Sequence, residues 1–275
     1  MAAQVLVMNP IAAPVWIAGL FYLLIHRDAR ELRFLGVAFL VLLALHVVSQ
    51  TSRADRTAAA YPAVFAAGAV VTERATRRLA EKRPILARSI AIGGPAIVVL
   101  SALALAPAVL PILPPPATAR LAQALGLTTQ AERGKSSPIP QLLADRTGWE
   151  SYVDDVERVY RSLPASDRAQ VVFYAPSYGQ AGSLEFLGPA RGLPNRVIGA
   201  QNTYWHWSVG RTNTDVLIAV DANPETLRRL FSEVWEAGRI RCDYCMSWRN
   251  DIPIFVARRS IAPVESVWPR FRHYE

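Results

Sequence analysis

Four long apolar runs lie in the first 113 residues of the chain, and they constrain its fold more than any other feature. A helix needs about 20 apolar residues, or about 17 at the least, to cross the hydrocarbon core of a bilayer. We therefore expect about four transmembrane helices within residues 1–113. The runs cover roughly residues 5–25, 34–49, 58–72 and 90–113.

The third run is short for a span. It is predicted either to cross the membrane or to form a buried or re-entrant helix packed among the others. Small side chains allow helices to approach closely in either case. The run contains four such residues in succession, Ala66, Ala67, Gly68 and Ala69.

The composition changes at Pro114, after which most of the aspartates, tryptophans and tyrosines occur. Residues 114–147 are rich in proline, alanine and small polar residues, so they are predicted as a linker with one short helix at 117–126. Residues 148–275 are predicted as a separate domain. A chain with 52% hydrophobic residues and a net charge of +8 fits a membrane region joined to a soluble domain.

Strand and helix patterns alternate in residues 148–275, which predicts an α/β layer. Pro164 closes the first helix, and the last helix has Pro224 in its first turn and Gly238 beyond its end. The predicted helices cover 149–162 and 224–238, and the predicted strands cover 170–175, 215–220 and 252–258. The expected fold is thus a membrane α-helical region followed by a C-terminal extracytoplasmic α/β domain.

The extracytoplasmic placement follows from the distribution of Lys and Arg among the loops, because cytoplasmic loops carry an excess of both. The first and third loops are basic, whereas the second has only Arg53 and Arg56. We therefore expect a multi-pass protein of the cytoplasmic membrane, with the second loop and the C-terminal domain outside. Topology explains most of the basic charge, so no nucleic-acid partner is expected. The basic residues are Arg27, Arg30 and Arg33 in the first loop, and Arg74, Arg77, Arg78, Lys82, Arg83 and Arg88 in the third.

The second loop reads "SRADR", which places Arg53, Asp55 and Arg56 directly before an apolar run. An arginine at headgroup depth can bind a phosphate through two parallel hydrogen bonds, and a lipid-linked phosphate is the natural ligand there. The alternative is that both arginines anchor the chain at the interface, with Asp55 as their local counter-ion.

Several stretches resemble bacterial glycosyltransferase family 39 membrane proteins, relatives of the protein O-mannosyltransferases and the aminoarabinose transferases. They are "MNPIAAPVWIAGLFYLL" and "SRADRTAAAYPAVFAAGAVVTER" in the first half, and "YGQAGSLEFLGPARGLP", "QNTYWHW", "RCDYCM" and "WPRFRHYE" in the second. The resemblance implies sugar transfer from a polyprenyl-phosphate-linked donor at the outer membrane face. Arg53 stands where the family has a lysine, and Asp55 and Arg56 replace two tyrosines.

The resemblance names no catalytic residue in this sequence, because the family's catalytic acid lies in a first outer loop that this sequence lacks. The chain is therefore expected to be the C-terminal part of such a transferase, completed by its N-terminal half or by a companion transferase. The alternative is a non-catalytic, membrane-anchored binding or accessory module, or a truncated fragment.

Two stretches of the second domain are candidate ligand-binding loops. Tyr178, Gly179 and Gln180 follow the first predicted strand, where α/β sheets often bind ligands, although a plain strand-to-helix connection is the alternative. "QNTYWHWS" brings Asn202, Tyr204 and Trp205 together, and aromatic rings beside amide groups suit a sugar. Its alternative is that these aromatic rings fill the domain core or touch the membrane interface.

Cys242 and Cys245 are the chain's two cysteines, in the sequence "CDYC". A redox pair of the thioredoxin type belongs at a helix N-terminus after a strand, whereas this pair follows a predicted helix. A structural disulfide or two plain thiols are therefore favoured. No metal site is expected, because the histidines are scattered along the chain, and no cofactor is predicted.

Overall fold

The computed structural model describes residues 8–49, 54–126 and 136–274. The chain divides into two compact units, Met1–Gly134 and Lys135–Glu275. Each unit has its own buried cluster of apolar side chains.

All regular secondary structure described in the first unit is helical. Its α-helices are α1 Ala13–Ile25, α2 Arg33–Ser49, α3 Tyr61–Lys82, α4 Pro84–Val109 and α5 Pro115–Ala124. Three 3₁₀ segments, Pro10–Ala12, Arg27–Leu32 and Ala54–Ala60, precede α1, α2 and α3. Helices α1, α3, α4 and α5 each have a proline in the first turn, where a backbone N–H would have no partner within the helix.

Two of the described helices, Arg27–Val48 and Pro84–Val109, are long and apolar enough to cross a membrane. The prediction of about four transmembrane helices is therefore wrong. The apolar helix Pro10–Ile25 is short, since its residues span about 24 Å against a hydrocarbon core of about 30 Å. In α3 the apolar stretch ends at Thr72, and charged residues begin at Glu73.

Helices α1 and α3 pack against each other through glycine. A Cβ atom on Gly19 would overlap the carbonyl oxygen of Val64, and one on Gly68 would overlap that of Val15. Tyr61 packs edge-on against the rings of neighbouring helices beside this contact. The small residues of the third apolar run thus serve close helix contact, as the sequence indicates for Gly68.

The second unit is an α/β domain with five strands. The strands are β1 Val171–Ala175, β2 Val197–Gly199, β3 Val216–Val220, β4 Phe231–Ile240 and β5 Ile252–Ser260. The helices are α6 Gln141–Ala144, α7 Trp149–Ser162, α8 Ala165–Arg168, α9 Tyr178–Leu187, α10 Thr203–Ser208 and α11 Pro224–Leu230. Short 3₁₀ turns cover Pro189–Arg191, Ser247–Arg249, Val264–Ser266 and Trp268–Phe271.

The strands form one mixed sheet in the order β2-β1-β3-β5-β4. Strands β1, β2 and β3 are parallel, and β5 is antiparallel to both β3 and β4. Strand β4 therefore runs in the same direction as the three parallel strands. One face of the sheet packs on α7 and α9, and the other packs on α11 and the C-terminal turns. The parallel strands are buried along their whole length, as expected for a sheet covered on both faces.

The sequence predicts four of these elements correctly, namely the helix at 149–162 and the strands near 171–175, 216–220 and 252–258. The helix expected at 224–238 is wrong in its second half, because α11 ends at Leu230 and Phe231 begins β4. Local composition favours a helix there. Pairing with β5 from Phe231 to Ile240 instead satisfies the backbone along an antiparallel ladder.

Candidate functional site

Strands β1, β2, β3 and β4 all end at one edge of the sheet, which we call the carboxyl edge. Ligands of open α/β sheets bind outside the carboxyl ends of parallel strands, where neighbouring connections leave in opposite directions. Here the connection after β1 leads to β2, whereas the connection after β3 leads towards β4 on the other side. The carboxyl ends of β1 and β3 are therefore the place where a sheet of this topology would bind a ligand.

The turn after β1 supplies one wall of this edge. Ser177 caps α9, and its hydroxyl and the Gln180 side chain form a capping box. The N–H of Tyr178 donates to the side-chain oxygen of Gln201 at 2.9 Å, which ties the β1 turn to the turn after β2. The amide nitrogen Nε2 of Gln180 is buried and has no hydrogen-bond partner. The Tyr178 ring is exposed.

Trp149, the first residue of α7, lies beside this turn. A Cβ atom on Gly179 would lie 3.0 Å from the Trp149 ring, so glycine allows the ring to approach the backbone. The guanidinium of Arg249 also lies over the Trp149 ring, 4.1 Å from the ring centroid. Trp149 therefore connects the β1 turn with the β4–β5 connection.

Arg249 lies in that connection and is buried, with 3% of its surface exposed. Its Nη2 donates to the carbonyl oxygen of Ala144, whereas its Nε has no partner. Within the described residues no salt bridge joins it to a carboxylate, although the Asp145 carboxylate acts on its charge. Burial lowers the pKa of Arg249, because desolvation disfavours the charged guanidinium, although arginine remains protonated in proteins.

Tyr152 and Asp221 complete the group. The Tyr152 side chain is buried and its hydroxyl has no partner. Desolvation raises the pKa of Tyr152; the Asp221 charge raises it further and the Arg249 charge opposes this. Asp221 follows β3 with a positive φ of 52°, and its N–H donates to the carbonyl oxygen of Pro253. Partial burial raises the pKa of the Asp221 carboxyl, because desolvation disfavours its charged form.

Together these residues present three unpaired hydrogen-bond donors and one acceptor, the Asp221 carboxylate. Three buried donor atoms have no partner: Tyr152 Oη on α7, Gln180 Nε2 on α9 and Arg249 Nε in the β4–β5 connection. A buried donor left unpaired costs about 1–3 kcal/mol, and more when it is charged. Each of the three can donate to an oxygen atom, and the exposed carboxylate of Asp221 can accept from a hydroxyl group.

The residues of the second candidate loop, Asn202, Tyr204 and Trp205, form hydrogen bonds with other elements of the domain. The Tyr204 hydroxyl donates to a carboxylate oxygen of Glu185 at 2.7 Å. Desolvation is the largest cause that raises the pKa of Tyr204 to about 12, and this hydrogen bond is the second. Trp205 donates its Nε1 to the carbonyl oxygen of Trp268 at 3.0 Å. Asn202 has a positive φ of 53°, and its N–H donates to the carbonyl oxygen of His273. The two rings thus fasten α10 to α9 and to the C-terminal turns.

The two arginines of the predicted lipid-phosphate site, Arg53 and Arg56, belong to the first unit. Arg53 lies outside the described residues. Arg56 is exposed on the 3₁₀ segment Ala54–Ala60, in the first unit. In the described parts of the chain, no group of three His, Cys, Asp or Glu side chains could hold a metal ion.

Sequence reasoning found the β1 turn but missed Trp149, Tyr152, Asp221 and Arg249. Tyr152 fits the apolar face of a helix, and Arg249 is one basic residue among many. Only Asp221 carries a signal of the kind used for the β1 turn, because it directly follows the predicted strand 215–220.

Comparison of the chain with family models, curated proteins and solved structures finds no match. The function is therefore inferred from the geometry of the carboxyl edge and from the chain's own residues.

Proposed function

We propose that the chain is a membrane-attached binding protein whose α/β domain binds a polar, negatively charged ligand at the carboxyl edge. The buried guanidinium of Arg249 carries this proposal. Burying a charge costs several kcal/mol unless a partner compensates it. Among the described residues Arg249 forms no salt bridge with a carboxylate, although Cys245, Cys242 and Asp145 in their anionic forms act on its charge. An incoming anion would supply that partner.

The chemistry of the edge favours a phosphate or carboxylate group that also carries hydroxyls. The planar guanidinium of arginine matches both anions through paired hydrogen bonds. Gln180 and Tyr152 add neutral donors, and Asp221 adds an acceptor. A phosphorylated or acidic saccharide combines these features, and polar groups of this kind set orientation in small-molecule sites.

The two candidate spans support membrane attachment, and they suggest a side for the domain. Arg27–Val48 and Pro84–Val109 leave residues 49–83 as one connecting segment. That segment holds most of the basic residues of the first unit, which favours the cytoplasm for it. Residues after Val109 would then lie outside the cytoplasm.

A transferase of lipid-linked sugars, expected from the resemblance, is the second candidate. The stretches "YGQAGSLEFLGPARGLP" and "RCDYCM" both begin at the carboxyl edge, where a saccharide would bind. In this case the α/β domain would hold part of a polyprenyl-phosphate-linked donor, and a separate chain segment would supply the catalytic acid. A donor phosphate bound by Arg53 and Arg56 at the outer face requires that loop to lie outside.

The side of that loop separates the two candidates. We expect Arg56→Cys and Arg78→Cys to be labelled alike by a membrane-impermeant maleimide in intact cells, because α3 is not among the candidate spans. Both positions should be protected, and both should react after the cells are opened. The unmodified chain gives the background from its native cysteines. Labelling of position 56 alone in intact cells would contradict this topology and favour an outer lipid-phosphate site.

The binding proposal is tested by Tyr152→Phe. The hydroxyl of Tyr152 has no partner in the fold, so its removal should leave the thermal stability of the protein unchanged or raise it. The same change should weaken binding of a hexose 1-phosphate about two- to tenfold, the value of one neutral hydrogen bond. Binding is measured by calorimetry on the full chain in a polyoxyethylene detergent, which carries neither phosphate nor sugar.

Tyr160→Phe is the matched control, since Tyr160 lies on the same helix about 12 Å along its axis, away from the edge. It should bind the hexose phosphate like the unmodified chain. If the unmodified chain binds neither hexose 1-phosphate nor a hexuronic acid at millimolar concentration, the proposed ligand class is wrong. Equal affinities for the two phenylalanine variants would place any bound ligand elsewhere.

A further inference from the structure

Cys242 and Cys245 lie at the carboxyl edge, directly after a strand. Strand β4 ends at Ile240, and the N–H of Cys242 donates to the side-chain oxygen of Asn250 at 2.8 Å. The sequence-based preference for a structural disulfide or plain thiols assumed a preceding helix, and that helix is not present at 231–240. The reason for setting aside a redox pair is therefore gone.

The fold also places the Cys242 sulfur at a helix N-terminus. Gly148 caps α7 with a φ of 86°, and no side chain caps this end. A Cβ atom on Gly148 would overlap the Cys242 sulfur, so the thiol lies directly against the first turn of α7. A helix N-terminus and a neighbouring arginine are the surroundings that favour a thiolate.

The two sulfurs differ in access. Cys242 is partly exposed, whereas Cys245 is buried with 2% of its surface exposed. Cys245 donates its thiol to the carbonyl oxygen of Cys242 at 3.3 Å, and no disulfide joins them. An accessible thiol backed by a buried one is the arrangement that disulfide exchange requires, since the first thiol attacks and the second releases the product.

We propose that Cys242 and Cys245 form a thiol–disulfide exchange site, with Cys242 as the attacking thiol and Cys245 as the resolving thiol. The Cys242 thiolate attacks one sulfur of a disulfide in another molecule, that S–S bond breaks, and the departing sulfur leaves as a thiolate. Cys245 then loses its proton and attacks the Cys242 sulfur, which expels the second thiolate. The substrate disulfide gains two electrons, and the pair becomes a Cys242–Cys245 disulfide.

The surrounding charges support this assignment of roles. A hydrogen bond from Cys245 lowers the pKa of Cys242 to about 6, and the Arg249 charge also lowers it. The same interaction raises the pKa of Cys245. Cys242 is then ionised at neutral pH while Cys245 keeps its proton until a mixed disulfide forms. The titratable neighbours that act on Cys242 are Cys245 and Arg249.

The test uses the reduced full chain with glutathione disulfide as the probe. Cys245→Ala should accumulate a stable glutathione adduct on Cys242, because nothing resolves it, and Cys242→Ala should form none on the buried Cys245. On the unmodified chain, alkylation of Cys242 followed by mass spectrometry should be half-maximal near pH 6, compared with about 8.5 for an ordinary thiol.

The pH profile needs no mutation, so it stands even if a variant fails to fold. Arg249→Gln should move the midpoint of that profile upwards. If millimolar reduced glutathione fails to reduce the Cys242–Cys245 disulfide of the oxidised chain, the pair is a structural bridge and the proposal is overturned. An alkylation midpoint near pH 8.5, or first attack by Cys245, would overturn it as well.

Discussion

Gly68→Leu is expected to destabilise the helical unit by about 3 kcal/mol or more. A Cβ atom at Gly68 would overlap the backbone of Val15, and backbone cannot give way as a flexible side chain does. Helices α1 and α3 would have to separate and lose the packing of Trp16 and Tyr61 between them. Overpacking a close contact typically costs about 1–3 kcal/mol, and a backbone clash lies at the upper end. The higher helix propensity of leucine relative to glycine offsets less than about 1 kcal/mol of this loss.

The measurement is denaturation of the full chain in detergent, followed by the helical circular dichroism signal. Gly93→Leu is the matched control, since Gly93 lies in α4 and a Cβ atom there would meet nothing within 4 Å. This control should be as stable as the unmodified chain or slightly more stable. If Gly68→Leu and Gly93→Leu unfold alike, α1 and α3 do not pack through Gly68.

The elements predicted correctly are those whose own residues determine them. Helix α7 shows a regular apolar face from Tyr152 to Val159 and ends before Pro164, so its spacing is legible without tertiary context. Strands β1 and β3 are short apolar runs bounded by polar residues, and both are buried throughout. In β4, the pairing partner decides the structure, and a partner is invisible in the local sequence.

The helical unit shows the same limit. Length and hydropathy identify two candidate spans, Arg27–Val48 and Pro84–Val109, which overlap the second and fourth apolar runs. The third run was ambiguous because its composition permits both a span and a packed helix. In the structure, Gly68 and Val64 of this run are buried against α1, a contact that both arrangements allow.

The candidate site was only partly predictable for a topological reason. Tyr178, Gly179 and Gln180 follow a strand, and the end of a strand can be recognised from the sequence. Arg249 and Tyr152 reach the same edge because β4 runs parallel to β3 and because α7 begins beside the β1 turn. Strand order determines both placements, and residue spacing does not reveal strand order.

Arg249→Gln is expected to weaken binding of a hexose 1-phosphate roughly tenfold to a hundredfold, because a charged hydrogen bond contributes about 1.5–3 kcal/mol. Glutamine keeps a polar side chain of similar reach but removes the charge. Thermal stability should change little, since the loss of the contacts to Trp149 and Ala144 is offset by the removal of a buried charge. The affinity of Arg249→Lys for hexose 1-phosphate should lie between those of the unmodified chain and Arg249→Gln, because lysine keeps the charge but lacks the planar guanidinium.

The most direct test of the proposed site is therefore one calorimetric titration with hexose 1-phosphate. It compares the unmodified chain, Arg249→Gln and Arg211→Gln in the same detergent. Arg211 is exposed in the loop that leads to the amino end of β3, away from the carboxyl edge. The account predicts binding by the unmodified chain and the Arg211 variant, and a loss of at least tenfold for the Arg249 variant. Equal affinity of the Arg249 and Arg211 variants would contradict it.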